Sequence, residues 1–335
     1  MDRNIDVQNF MKPTTQAETT HTDSSSSIDV DTFIKPVVDS ISVEEENAET
    51  TENVANTAAN TVSDMKDRGD GSVDVIQFKN LTQIFNKGTD KEYKLFENFN
   101  LNIPDIPNQG QMVSIMGGSG CGKSRLVRVL CGLDDVQEGE ILVYGKLLKE
   151  YKNIPMCFQS YSNYAWRTCL ENVMLPMIVR GVSKSDAEKR AIELLDIVGM
   201  KDKANNYPAK LSGGQNQRIS IARSLACDSQ IVVFDEATGA LDIKMKREVQ
   251  NIILKIFYDT ALDPTIINIT HSVEEALYLS NKIIILQPNP CTVYKSMDVH
   301  YPGEDVKPRG EWIFDTPEYA HYLKELTNTM NEVCK

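Results

Sequence analysis

The stretch Gly117-Gly118-Ser119-Gly120-Cys121-Gly122-Lys123-Ser124 fits the pattern G-x-x-x-x-G-K-[ST]. Upstream of it, Met112-Val113-Ser114-Ile115-Met116 reads as a short apolar strand, and downstream Ser124–Leu133 reads as a helix. Strand, glycine-rich turn and helix in that order describe a phosphate loop. The glycines let successive backbone N–H groups face one anion, and the helix start adds its partial positive charge. In such a loop the lysine reaches the β- and γ-phosphates and the following hydroxyl ligates Mg²⁺. The stretch therefore predicts a nucleoside-triphosphate site.

A second apolar strand, Ile231-Val232-Val233-Phe234, ends in Asp235 and Glu236. Beside a phosphate loop these two acids divide the work: Asp235 holds the Mg²⁺ shell, and Glu236 reaches the attacking water as general base. Further apolar runs at Thr265–Ile269, which leads into Thr270-His271, and at Lys282–Leu286 are separated by helical patterns. Leu95–Ile103 alternates in period two instead, in a region that turns strand-like from residue 74. Strands interleaved with helices predict an α/β fold with a mainly parallel sheet and function at the strand C-termini.

Leu211-Ser212-Gly213-Gly214-Gln215-Asn216-Gln217-Arg218 comes next, with a helix predicted over Arg218–Ala226. A serine hydroxyl and two glycine N–H groups near a helix start form a second anion site. The L-S-G-G-Q core resembles the signature motif of the ATP-binding-cassette (ABC) ATPases, and the resemblance runs from about residue 74 to 290. It implies a P-loop NTPase with a RecA-like core sheet, an antiparallel β-subdomain and an inserted α-helical subdomain. It also implies that Gly117, Gly118, Ser119, Gly120, Cys121, Gly122, Lys123 and Ser124 bind ATP, with Ser124, Gln159 and Asp235 serving Mg²⁺. Ser212, Gly213, Gly214 and Gln215 would bind the ATP held by a second copy, so that each chain carries half of each of two sites. Gln159 matches the Q-loop glutamine, and Gly239-Ala240-Leu241-Asp242 matches the D-loop, which crosses the dimer interface. His271 matches the switch histidine, and Phe85 sits where the family stacks an aromatic ring on adenine. Catalysis falls to Glu236, His271, Gln159 and Lys123.

Tyr164–Val173 and Thr270–Leu279 look like the nitrate/sulfonate/taurine importer ATPases. That resemblance implies a subunit on the cytoplasmic face of a membrane, energising import of a small anionic solute through a separate transmembrane permease. A solute-binding protein would take part indirectly, and Trp166 would lie near the permease-docking groove. The competing class is a soluble ABC-type ATPase that remodels or scaffolds something else. Between Gln159 and Ser212 there is no heptad insertion for a coiled-coil arm, and no second cassette follows. Two positions depart from the family pattern: Arg125 stands where threonine is usual, and Ala237 where proline is. All reacting groups are present, so ATP binding and hydrolysis are expected.

The whole chain has 335 residues and a net charge of −13. Residues 1–75 hold 16 Asp/Glu against 5 Lys/Arg, leaving a nearly neutral body without the strongly basic surface that nucleic acid needs. Residues 1–72, rich in Ser, Thr, Asn and acids, read as a disordered tail that cannot bury enough apolar surface to offset its chain entropy. Within the tail, Asp6–Pro13 and Asp29–Pro36 share a D-V-x-x-F-Φ-K-P pattern, a candidate bivalent docking peptide. Residues 73–290 are read as the ATPase domain, with the helical subdomain at about 160–215, and 291–335 as an extension. In that extension Thr316-Pro317 caps an amphipathic helix bearing Tyr319, Tyr322, Leu323, Leu326, Met330 and Val333. Seven cysteines without C-x-x-C spacing argue against a disulfide framework or zinc site. The polar start and the absence of a long apolar run predict neither a secretory leader nor a membrane span.

Overall fold

The computed structural model describes residues 73–333, apart from 108, 152–153, 161 and 260–263. The tail and its repeated motif lie outside the described residues. Among those described, six strands form the main sheet in the order β10-β9-β3-β8-β7-β6. They are β3 Gln111–Gly117, β6 Met156–Cys157, β7 Ile231–Asp235, β8 Thr265–Ile269, β9 Lys282–Gln287 and β10 Thr292–Asp298. β9, β3, β8, β7 and β6 run parallel, while β10 pairs antiparallel with β9 at the edge. A second sheet, β2-β1-β4-β5, is antiparallel and comprises β1 Ile76–Phe85, β2 Tyr93–Ile103, β4 Glu138–Val143 and β5 Lys146–Leu147.

The burial pattern explains why the central strands are mainly apolar, without alternation. Every residue of β3 and β8 is buried, because both faces of a parallel sheet are covered. Alternate residues then serve two cores. Met112, Met116, Val232, Phe234, Ile266, Ile283 and Ile285 face one, built with helices α2 Cys169–Val179, α3 Lys184–Ile197, α4 Gly213–Leu225, α5 Ile243–Asp259 and α6 Val273–Leu279. Val113, Ile115, Val233, Ile267, Ile269, Ile284 and Leu286 face the other, with the antiparallel sheet and helix α1 Lys123–Leu130.

Helix ends differ from the sequence expectation for identifiable reasons. α1 stops at Leu130, three residues short of the expected Leu133. Gly132 takes φ +66°, Leu133 N–H donates to the Arg128 carbonyl at 2.9 Å, and Gly132 N–H donates to that of Val129 at 3.1 Å. This is a Schellman termination, which depends on the glycine accepting a left-handed conformation. α4 starts at Gly213, five residues before the expected Arg218. There Ser212 Oγ accepts from Gln215 N–H, and Gln215 Oε1 accepts from Ser212 N–H, a reciprocal capping box that the Gly-Gly pair disguises as a loop.

Residues 291–335 contribute more than an appended helix. They supply the edge strand β10 and the helix α7 Pro317–Val333, capped by Thr316 Oγ1, which accepts from Tyr319 N–H at 3.2 Å. Leu326 and Val333 are buried in the core, and Tyr319, Tyr322, Leu323 and Met330 pack against it. Arg309, 6% exposed, fixes the connecting segment. It pairs with Glu304 and donates to the carbonyls of Ser280 at 2.5 Å and Val299 at 2.7 Å. None of the described helices is long and apolar enough to cross a membrane.

Candidate active site

Four segments with expected chemistry follow four neighbouring parallel strands. The phosphate loop follows β3, His271 follows β8, Asp235 and Glu236 close β7, and Gln159 follows β6. The strand order thus gathers residues far apart in sequence along one rim, the carboxyl ends of a parallel sheet, where open α/β sheets bind ligands.

In the loop, glycine is required at two points for different reasons. A Cβ at Gly117 would meet the Leu286 carbonyl oxygen at 2.6 Å and Cys121 Sγ at 2.7 Å. Gly122 takes φ +104° immediately before α1, a conformation L side chains rarely adopt. Cys121 is fully buried, so its side chain offers nothing to a ligand. Lys123, also buried, folds its Nζ onto the carbonyls of Gly117 at 2.9 Å and Gly118 at 3.0 Å. The ammonium is held at the mouth of the cradle by groups a phosphate oxygen can replace.

Ser124 Oγ donates to Asp235 Oδ1 at 3.3 Å. Burial raises the Asp235 carboxyl above the ordinary aspartate range, against the opposing pull of the Ser124 hydroxyl. The Asp235 carboxylate is half-buried, with Lys123 and Arg128 as the cations that act on it. The Ser124 and Asp235 oxygens are hard donors that fit a magnesium ion, and the Gln159 amide bonds to the adjacent Glu236.

Glu236 is held from both sides. Gln159 Nε2 donates to its Oε2 at 3.1 Å, and His271 Nδ1 lies 3.3 Å from its Oε1. Its backbone takes φ +46°, a left-handed conformation that costs a non-glycine residue about 1–3 kcal/mol. The strain persists because Glu236 N–H donates to Ile269 O at 3.0 Å while its carbonyl accepts from Gly239 N–H at 2.9 Å. A cavity of about 580 Å³ opens over this rim, lined by Ser119, Gly120, Gly122, Lys123, Ser124, Glu236 and His271, together with Leu95 and Arg125.

The chain does not bring Ser212, Gly213, Gly214, Gln215 or Asp242 to this cavity. Ser212, Gly214 and Gln215 line a separate one of about 250 Å³ that shares no residue with it. Asp242 instead caps α5 from the residue before it, its Oδ1 accepting from Met245 N–H at 3.0 Å. Phe85 is half-buried, and its ring is covered by the Arg125 guanidinium 5.2 Å from the centroid.

Two clusters escaped the sequence reading. Arg125 and Arg128 converge on Asp134, a pairing foreshadowed only by their i,i+3 spacing on one helix face. Glu275, 3% exposed, accepts from Thr238 Oγ1 at 2.6 Å and pairs with Lys246 Nζ at 3.0 Å. In sequence Glu275 reads merely as an acid in the first turn of α6. In the fold it ties the segment after Glu236 to the helix after His271.

A phosphate loop, an acid pair and a histidine on adjacent strand ends define a P-loop ATPase cassette. The family model described as ABC transporter matches residues 97–239. An uncharacterised ABC transporter ATP-binding protein of Methanocaldococcus jannaschii is 33% identical over 258 residues, covering 77% of this chain and 91% of its own. The nitrate import ATP-binding protein of Synechocystis is 34% identical over 237 residues, covering 70% and 87%. The solved dimeric structure of a bacterial ABC transporter cassette aligns at a TM-score of 0.59 and 32% identity, over 68% of this chain and 99% of that one. The chain belongs to the ABC transporter ATP-binding proteins and is an ABC-type ATP hydrolase.

Proposed function

We propose that two copies of this chain close around two Mg-ATP molecules and drive a separate transmembrane permease for import of a small solute, an anion of the nitrate, sulfonate or taurine type. In each site the loop from Gly117 to Ser124 holds the phosphates, with Lys123 moving from its own carbonyls onto the terminal phosphate oxygens. The base takes the Phe85 ring in place of the Arg125 guanidinium that stands over it. Ser124, Asp235 and Gln159 hold the magnesium ion, which when bound neutralises charge on the phosphates. Glu236 accepts a proton from the attacking water, and His271 and Gln159 keep its carboxylate aimed. Ser212, Gly213, Gly214 and Gln215 of the second copy complete the site, with Asp242 beside them at the interface.

The observation that carries this reading is the placement of Glu236 between Gln159 and His271 at the rim of the phosphate-loop cavity. The separation of the two cavities within one chain supports the two-copy arrangement. The permease side is supported by apolar side chains exposed on the helical subdomain, Trp166 at 73% and Val179 at 77%. The nitrate import relative supports the solute class.

Glu236→Gln tests the scheme. Hydrolysis should fall by about 10²–10⁴, the usual contribution of a general base, while ATP binding is retained and dimers accumulate. Normal turnover would overturn the role of Glu236. Recovery of the trapped dimers with membranes supports the permease partner; a wholly soluble distribution favours a remodelling role.

A further inference from the structure

We propose that the C-terminal extension positions the histidine of the reaction centre: Tyr301, Arg309 and Phe314 hold the short helix behind His271 and so set where its ring points. The inference rests on the role given to His271 above and adds to it residues that act through that helix.

The need for support is visible at His271 itself. Its side chain is 64% exposed, and the contact of its Nδ1 with Glu236 Oε1 is 3.3 Å long. With so little packed around the ring, its aim follows the backbone beneath it. That backbone leads directly into α6, where Ser272 Oγ accepts from Glu275 N–H at 3.3 Å as the N-cap. α6 has only seven residues, and a helix so short does not hold itself in water. Its neighbours must fix it.

Some of those neighbours belong to the cassette. Thr238 and Lys246 take Glu275, and Asn251 Oδ1 accepts from the Tyr278 hydroxyl at 2.6 Å. The extension supplies the rest. The buried Tyr278 ring stacks on Phe314, with centroids 5.4 Å and planes 14° apart, and the Arg247 guanidinium lies over both. At the end of α6, residues from Ala276 to Ser280 are all buried, where water cannot satisfy the free carbonyls of a last turn. Tyr301 Oη donates to the Leu277 carbonyl at 3.2 Å. Arg309 Nη1 reaches the same oxygen at 3.4 Å and donates also to the Ser280 carbonyl. Its guanidinium sets a positive charge at the negative end of the helix dipole. Arg309 is itself held within the extension, by Glu304 and by the Val299 carbonyl at 2.7 Å.

α6 thus joins the extension at one end to Glu236 at the other. It meets the general base from two sides, through His271 directly and through Glu275 and Thr238 behind it. Tyr301 and Arg309 therefore work on the chemical step by way of His271, and leave nucleotide affinity alone.

The test is single-turnover ATP hydrolysis by the full chain carrying Tyr301→Phe or Arg309→Lys, each alone and combined with His271→Ala, with ADP titrated into the same proteins. Both substitutions are mild, since the phenyl ring keeps its place and the lysine keeps its charge. Each should slow hydrolysis about three- to tenfold, the usual net worth of a hydrogen bond, and leave ADP affinity unchanged. In the His271→Ala background they should change nothing further, the non-additivity of residues that act through one another. An equal loss in both backgrounds, or no loss in either, would overturn the proposal. The histidine ring signals in NMR give a second readout. The chain has four histidines, and the signal missing from His271→Ala is that of His271. It should shift in Tyr301→Phe and in Arg309→Lys; a signal left in place overturns the proposal whatever the rates. A His271→Ala protein that hydrolyses ATP at the wild-type rate would instead bring down the role of His271 on which the inference rests.

Discussion

The phosphate-loop cavity and the Ser212 cavity, the two proposed anion sites, both lie at helix starts and are built by opposite means. At the loop, backbone takes left-handed conformations: Gly117, Gly120, Gly122 and Glu236 all take positive φ, at a cost only for the non-glycine Glu236, and Lys123 is folded onto its own loop. At Ser212 the backbone is an ordinary helix start, and a capping box satisfies its donors from within. The first site stores strain that neighbouring strands must over-determine. The second is locally complete. A strained site holds its geometry only while the sheet beneath it is intact, whereas a capped helix start carries its geometry wherever the helix goes. That suits a fixed reaction centre and a mobile partner surface.

Gly117→Ala attacks the strained side most directly. The added Cβ would stand 2.6 Å from the Leu286 carbonyl, which is backbone in β9 and cannot swing away. The expected cost is about 1–3 kcal/mol, the usual penalty for overpacking, read as a lower urea midpoint with loss of nucleotide binding. Ser212→Ala breaks the capped side more gently. It should cost about 1 kcal/mol of stability, the typical value of an N-cap side chain, and remove ATP-driven dimer formation in gel filtration. If Ser212→Ala proved as destabilising as Gly117→Ala, the contrast between the two sites would not hold.

The smallest effect is a dependence on pH. Arg128, by hydrogen bonding, holds the Asp134 carboxyl below the ordinary aspartate range, and Arg125 adds to the shift. A carboxyl depressed in the fold contributes stability that is present above its unfolded pKa and is lost as pH falls through the folded value. Asp134→Asn should therefore narrow the stability difference between neutral and strongly acidic solution, measured by urea denaturation across that window. Equal acid sensitivity in the two proteins would assign the acid loss to other carboxylates.

Much of this molecule was legible in its sequence, for a definite reason. Central parallel strands are buried on both faces, so Met112–Met116, Ile231–Phe234 and Thr265–Ile269 appear as mainly apolar runs, interrupted only by small or amide polar residues such as Ser114 and Asn268 that bond to each other. The phosphate loop is read from its glycines because steric room and positive φ leave few alternatives. The start of α4 was hidden because its stability comes from side chains bonding back to the backbone, not from helix propensity. The stacking of Arg125 on Phe85 and the burial of Glu275 against Lys246 join segments far apart in the chain. No local pattern encodes such pairs; only the register of the sheets brings them together.

The order of strand ends has a further consequence. Neighbouring strands lie about 4.8 Å apart, so the rim from the phosphate loop across β8 and β7 to Gln159 just after β6 spans roughly 14 Å. The sheet is thus a ruler. Its graduations are backbone hydrogen bonds, among the least compressible distances a protein can set, and the reacting groups sit on successive marks. Apolar residues such as Ile267 and Val233, paired in register across β8 and β7, touch no nucleotide, yet they keep that scale true.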